Sequence, residues 1–162
     1  MLAKLRVDEK TFNTFIKKYQ KVANPELKSE LRYALALTHD AKNIETAIQL
    51  LAEPEIIKPQ DHSFFFYYLR TNHLAKKAAF EWLTKNWDYV EKMAGEKMLE
   101  NYIRYTAYTV KTKDEADEFF GFFEQFKEHP VMKRSFVVAT TEINARLKLI
   151  EADREGVYQK LQ

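Results

Sequence analysis

The stretch from Pro59 to Trp87, PQDHSFFFYYLRTNHLAKKAAFEWLTKNW, leaves this chain little choice of fold. Proline followed by Gln60 and Asp61 is a helix start. Proline gives up no useful N–H at the first helical position, and an acidic group suits the positive end of the helix dipole. The run Phe64 to Leu69 is apolar or aromatic at every position, as in a helix buried between neighbours. Thr71 and Asn72 break it. A second helical pattern then carries Ala78, Ala79, Trp82 and Leu83. Two helices back to back, joined by a tight turn, form the unit around which the chain is built.

Flanking segments repeat this theme. Asp8 is placed to cap a helix bearing Phe12, Phe15, Ile16 and Tyr19 on one face. Asn24-Pro25 is a cap followed by proline at the first helical position, ahead of Leu27, Leu31, Ala34 and Leu35. His39-Asp40 interrupts that stripe, and Ile44, Ala47, Ile48 and Leu51 resume it until Pro54. After Gly95, a helix from Glu96 carries Met98, Leu99, Tyr102 and Ile103. Thr112 and Glu115 have the spacing of a capping box. They precede the apolar face Ala116, Phe119, Phe120, Phe123 and Phe126. Pro130 is expected to open the last helix, with Val137, Val138, Thr141, Ile143, Ala145, Leu147 and Ile150 as its stripe and Gly156 as a break.

The helix pairs start near Pro25, Pro59, Glu96 and Pro130, intervals of 34, 37 and 34 residues. A period near 35 with two helices per repeat is characteristic of helical-repeat proteins. The expected fold is therefore all-α, an α-solenoid of HEAT/armadillo-like helix pairs with about 8 helices, forming one superhelical domain over residues 1–162. The chain has only 3 glycines and 4 prolines, too few for the many tight turns of an all-β fold.

Several function classes drop out. Lys+Arg 26 against Asp+Glu 24 leaves no broad basic footprint for nucleic acid. No apolar run approaches the length of a membrane span. There is no cysteine, so neither a disulfide framework nor thiolate metal ligation is available. His39, His62, His73 and His129 form no HExxH and no close sequence pair, and they read as surface or helix-end residues rather than metal ligands. The carboxylates at Asp114-Glu115, Asp117-Glu118 and Glu151-Asp153-Glu155 fall on polar helix faces, and none forms a converging acid/base pair. No GxSxG or phosphate-binding glycine loop occurs.

One patch invites a binding role. Tyr102, Tyr105 and Tyr108 recur every three residues with Arg104 among them. Tyrosine suits a groove that is apolar at one end and wet at the other, and arginine can grip a carboxylate through two parallel bonds. Arg70, at the end of the central helix, is a further candidate. Its alternative role is to bond carbonyls at the end of its own helix.

The block IKPQDHSFFFYYLRTNHLAKKAAFEWLTKNWDYVEK resembles the C-terminal helical domain of the aminopeptidase N family, the zinc aminopeptidases that include puromycin-sensitive and endoplasmic-reticulum aminopeptidases. PQD at Pro59 to Asp61, AAFEWLTKNW at Ala78 to Trp87 and DEADEFFGFFEQ at Asp114 to Gln125 carry the likeness. The terminal segment from Lys133 to Leu161 resembles that of bacterial members, and NPELKSELRYALALTHD at Asn24 to Asp40 resembles a family helix.

This resemblance implies a cytoplasmic bacterial parent enzyme that removes residues from peptide N-termini, with its zinc in an HExxH site on a separate catalytic domain. The helical domain would shape and close the peptide chamber, with that catalytic domain and peptide substrates as its partners. No HExxH or GxMEN is present here, so no catalytic residue and no metal ligand carries over. Arg70, Tyr102, Arg104 and Tyr105 are the substrate-lining candidates. The rival expectation is a free-standing helical-repeat adaptor that binds a partner peptide or helix. Leu2, Leu5 and Val7 begin abruptly without a capping signal, which is expected of a domain within a longer polypeptide.

Overall fold

The computed structural model describes residues 7–161, and for residue 97 and residues 155–161 it describes the backbone alone. The expectation attached to Leu2 and Leu5 lies outside the described residues. The chain is all-α. Nine α-helices and two 3-10 turns account for its regular structure among the described residues. They fall into two compact units, residues 1–95 and 96–162.

The first unit contains α1 (Glu9–Lys21), α2 (Pro25–Ala36), α3 (Ala41–Gln49), α4 (Pro59–Thr71), α5 (Lys76–Lys85) and α6 (Trp87–Ala94). The first three helices start where a short polar side chain satisfies a backbone donor that has no intrahelical partner. Asp8 accepts from the Thr11 N–H at 2.8 Å, Asn24 from Leu27 at 2.9 Å and Asp40 from Asn43 at 3.0 Å. Pro25 and Pro59 occupy the first turns of α2 and α4. Helix α4 lies at the centre, packed against α2, α5 and α6. Phe65, Phe66 and Leu69 are fully buried on it, but Phe64 is 44% exposed, so the apolar run has one face turned outward. Burying a phenylalanine or leucine side chain contributes about 1.5–3 kcal/mol each, which makes α4 the main apolar anchor of this unit. Gly95 ends α6 at φ +67°, a backbone conformation that other L-residues adopt only with strain.

The second unit contains α7 (Glu96–Thr109), α8 (Lys113–Phe123) and α9 (Lys133–Leu161). Two cross-links set α7 and α9 parallel. The Ser135 hydroxyl donates to Glu100 at 2.7 Å, and farther along both helices Arg146 donates to the carbonyls of Ala107 and Val110 at 2.7 and 2.9 Å. The Phe119 ring lies nearly coplanar in orientation with Phe136, centroids 6.2 Å apart, and packs on Phe123 at 4.9 Å. The capping box forms with one displacement. Thr112 accepts from the Glu115 N–H at 3.3 Å, and the Glu115 carboxylate accepts from the Lys111 N–H at 2.7 Å.

Helix α9 differs from the sequence expectation in three ways. It begins at Lys133, because residues 130–132 form a turn. It runs through Gly156 to Leu161 without a break, since one glycine weakens a helix by only about 1 kcal/mol. Its buried positions are Ser135, Ala139 and Ile143, which follow the buried Met132 of the preceding turn, whereas Val137, Val138, Thr141 and Ala145 point outward. The expected stripe mixed two neighbouring rows of the same helix. The fourth unit of the expected repeat is thus one long helix instead of a pair.

Candidate functional site

Within the first unit, the densest polar constellation is centred on Asp61 in the first turn of α4. Its carboxylate accepts from the Arg32 guanidinium at 2.7 Å and from the Tyr19 hydroxyl at 3.1 Å, and the Lys28 ammonium lies 3.3 Å away. Lys28 and Arg32 are one turn apart on α2, which places both over the same carboxylate. The cations also rest on aromatic faces. Lys28 sits 5.1 Å from the Tyr19 ring centroid, and Arg32 lies 5.4 Å from Phe64 and 6.0 Å from Tyr68. Tyr33 meets Tyr68 edge-on at 5.3 Å. Burial and the neighbouring Asp61 charge push the Tyr19 hydroxyl well above the ordinary phenol range, so it remains a donor. Two cations against one carboxylate leave a local positive surplus beside the exposed ring of Phe64. The cluster contains no nucleophile and no acid/base pair.

Arg70 is 4% exposed. Its guanidinium donates to the Lys76 carbonyl at 2.7 Å and lies 5.1 Å from the centroid of Phe80. The carbonyl it bonds belongs to the following helix, α5, so Arg70 fastens the corner between α4 and α5. Two residues on, Asn72 is buried and donates to the carbonyls of Ala36 and Thr38 at 3.1 and 2.8 Å, tying this corner to the one that follows α2. His62 is 1% exposed and donates through Nε2 to the Leu51 carbonyl at 2.9 Å. Burial drives its pKa down to about 4 and keeps the ring neutral.

In the second unit, the three-residue recurrence on α7 drifts around the helix. Tyr102 is fully buried, Tyr105 is half-buried and Tyr108 is 61% exposed. A period of three falls short of the 3.6-residue turn, so each step rotates the ring away from the core. Arg104 is exposed on the outward side with Tyr108. Of the four sequence candidates, Arg104 and Tyr105 lie at the surface, while Tyr102 and Arg70 are interior. The sequence reading missed Asp61, Arg32, Lys28 and Arg146. Their spacing to one another is long-range, and only the i, i+4 pair of Lys28 and Arg32 was visible beforehand. A cleft of about 430 Å³ also opens between the start of α8 and the far half of α9, lined among others by Lys113, Asp117, Asn144, Leu147 and Arg154. Among the described residues, no group of three or more histidine, aspartate or glutamate side chains is placed to hold a metal. No helix among them is long and apolar enough to cross a membrane.

Comparison with known proteins decides the family. The ERAP1-like C-terminal domain matches residues 1–145. The chain belongs to this family. It is similar to aminopeptidase N of Lactococcus lactis subsp. lactis (strain IL1403), with 34% identity over 149 residues that cover 91% of this chain and 18% of that protein. Aminopeptidase N of Lactobacillus helveticus is 32% identical over 143 residues, 88% of this chain and 17% of the relative. Glutamyl aminopeptidase of Mus musculus is 34% identical over 83 residues, 51% of this chain and 9% of the relative. The chain therefore spans less than a fifth of the length of the curated relatives it matches. As a member of the ERAP1-like C-terminal domain family, it corresponds to a domain of aminopeptidase N-type enzymes.

Proposed function

We propose that this chain is the non-catalytic C-terminal domain of a zinc-dependent aminopeptidase, that it packs against the catalytic domain of the same polypeptide, and that it shapes and closes the peptide chamber. One observation carries the reading. About nine-tenths of the chain aligns with only 17–18% of proteins named aminopeptidase N. The zinc, the HExxH site and the metal-bound water that attacks the peptide would then belong to the remainder of the enzyme.

The outward row of α9 supports the packing role. Val138 is 46% exposed and Leu149 62%, about three turns apart on one side of the helix, with Val137 56% exposed beside them. This is the side of α9 that would meet the catalytic domain. For substrate, Arg104 and Tyr105 would meet the distal part of a peptide, Arg104 through its carboxylates. Tyr102 and Arg70 would act from beneath, by holding α7 and the α4–α5 corner in place. As part of a bacterial enzyme of this kind, the domain would work in the cytoplasm.

Steady-state kinetics of the intact enzyme with peptides of graded length test the chamber role. Arg104→Ala should raise KM for long peptides several-fold and leave dipeptide hydrolysis unchanged, because only a long substrate extends to this domain. Kinetics of Arg104→Ala equal to those of the unaltered enzyme on every peptide would remove Arg104 from the chamber.

A further inference from the structure

We propose that His39 and His73 form a two-imidazole chelate for a single borderline divalent transition-metal ion, of the zinc, nickel or copper class. The two rings lie 34 residues apart in sequence, yet their centroids are 5.7 Å apart and their planes meet at 78°. Both side chains are exposed. Two imidazoles bound to one ion at ~2.1 Å place their ring centroids roughly 5 Å apart. Chelation requires each ring to turn one nitrogen towards the shared ion.

The scaffold beneath the pair is fixed. His39 follows α2 and His73 follows α4, and the buried Asn72 staples the two corners together. Its side-chain amide donates to the Ala36 and Thr38 carbonyls at 3.1 and 2.8 Å, and its Oδ1 accepts from the Leu74 N–H at 3.1 Å. The backbone on both sides of the site is thereby cross-linked within one or two residues of each histidine. Binding of the second imidazole then becomes an intramolecular event at high effective concentration. The 34-residue interval equals that from Pro25 to Pro59. The histidines thus occupy the same place, just past the first helix of two successive helix pairs, which is how a distant sequence pair becomes a spatial one.

Imidazole favours ions of intermediate softness, and the affinity order should rise from manganese through nickel to copper, with zinc below copper. Two protein ligands leave further coordination positions for water or for a donor from a bound molecule. His62 is buried, and His129 uses its Nδ1 to accept the N–H groups of Val131 and Met132 at 3.2 and 3.4 Å. Neither duplicates the site.

Isothermal titration of the chain with nickel, zinc and copper salts, compared with His39→Gln and His73→Gln, tests the proposal. Both substitutions are on exposed side chains, and circular dichroism checks that the helices persist. The expected result is one ion per chain, with each single substitution weakening binding about tenfold or more. Three results overturn it: no saturable binding to the unaltered chain, binding that survives both substitutions, or binding lost through one histidine only.

Discussion

Arg32 and Asp61, 29 residues apart in sequence, meet at 2.7 Å where α2 passes the first turn of α4. Their side chains are only 12% and 17% exposed, and the same carboxylate also receives Tyr19 and Lys28. The pair therefore links three helices, α1, α2 and α4, through one acidic group. Removing the acid leaves two cations without their partner in a poorly solvated place, which costs more than removing one cation. Asp61→Ala should lower stability by about 2–3 kcal/mol in urea titration, and Tyr19→Phe by about 1 kcal/mol. Equal, near-zero effects would mean that water replaces these bonds without loss.

His62 makes stability depend on pH. Its pKa is about 4 in the folded chain against 6.5 in the unfolded one. Below 6.5 the unfolded state takes up a proton that the folded state refuses, so stability falls as pH drops from 6.5 to 4, by roughly 3 kcal/mol in total. Urea midpoints at several pH values in this window should show that slope for the unaltered chain. His62→Gln should flatten it, whatever its effect at neutral pH.

Arg146 closes the end of α7 by donating to Ala107 and Val110. Charge-assisted bonds of this kind contribute about 1.5–3 kcal/mol. Arg146→Met keeps much of the aliphatic packing but removes both bonds, and should lower Tm by several degrees. Arg146→Lys should recover only part of the loss, because an ammonium lacks the planar fork that reaches two carbonyls.

Two glycines should respond with opposite signs. Gly95 adopts φ +67°, so Gly95→Ala is strained even though a Cβ there would meet nothing within 4 Å. It should destabilise by about 1 kcal/mol. Gly121 lies on the exposed side of α8, and a Cβ there also meets nothing within 4 Å. Gly121→Ala should stabilise by about 0.5–1 kcal/mol through helix propensity. Paired thermal melts distinguish the two.

The outward row of α9 gives a prediction that separates folding from assembly. Val138 is 46% exposed, so Val138→Asp should change the stability of this chain by less than about 0.5 kcal/mol. In an enzyme where that row meets a catalytic domain, the same change should loosen the interface and increase proteolysis between the domains. Unaltered proteolysis of the intact enzyme would direct the search for the interface to another face.

Local signals made the helices legible. Asp8, Asn24 and Thr112 cap the helices that sequence assigned to them, and Pro25 and Pro59 sit in first turns, because capping and proline geometry involve only neighbouring residues. The α9 stripe was misread because adjacent helical rows differ by one position, and Gly156 alone was too weak to stop a helix of this length. The site was harder to read. The Asp61 cluster, the Arg70–Lys76 bond and the His39–His73 contact all depend on which helices become neighbours. A three-residue tyrosine period looked like one face, but it winds from the core at Tyr102 to the surface at Tyr108.

The most direct test of the account is the size of the native polypeptide. An antibody raised against this chain, applied to a denaturing gel of source-cell lysate, reads it in one step. A band several times larger than the 19.3 kDa of this chain is the predicted result, and it would place these residues within a long aminopeptidase. A band at 19.3 kDa would contradict the account and leave a free-standing helical protein whose partner must be sought.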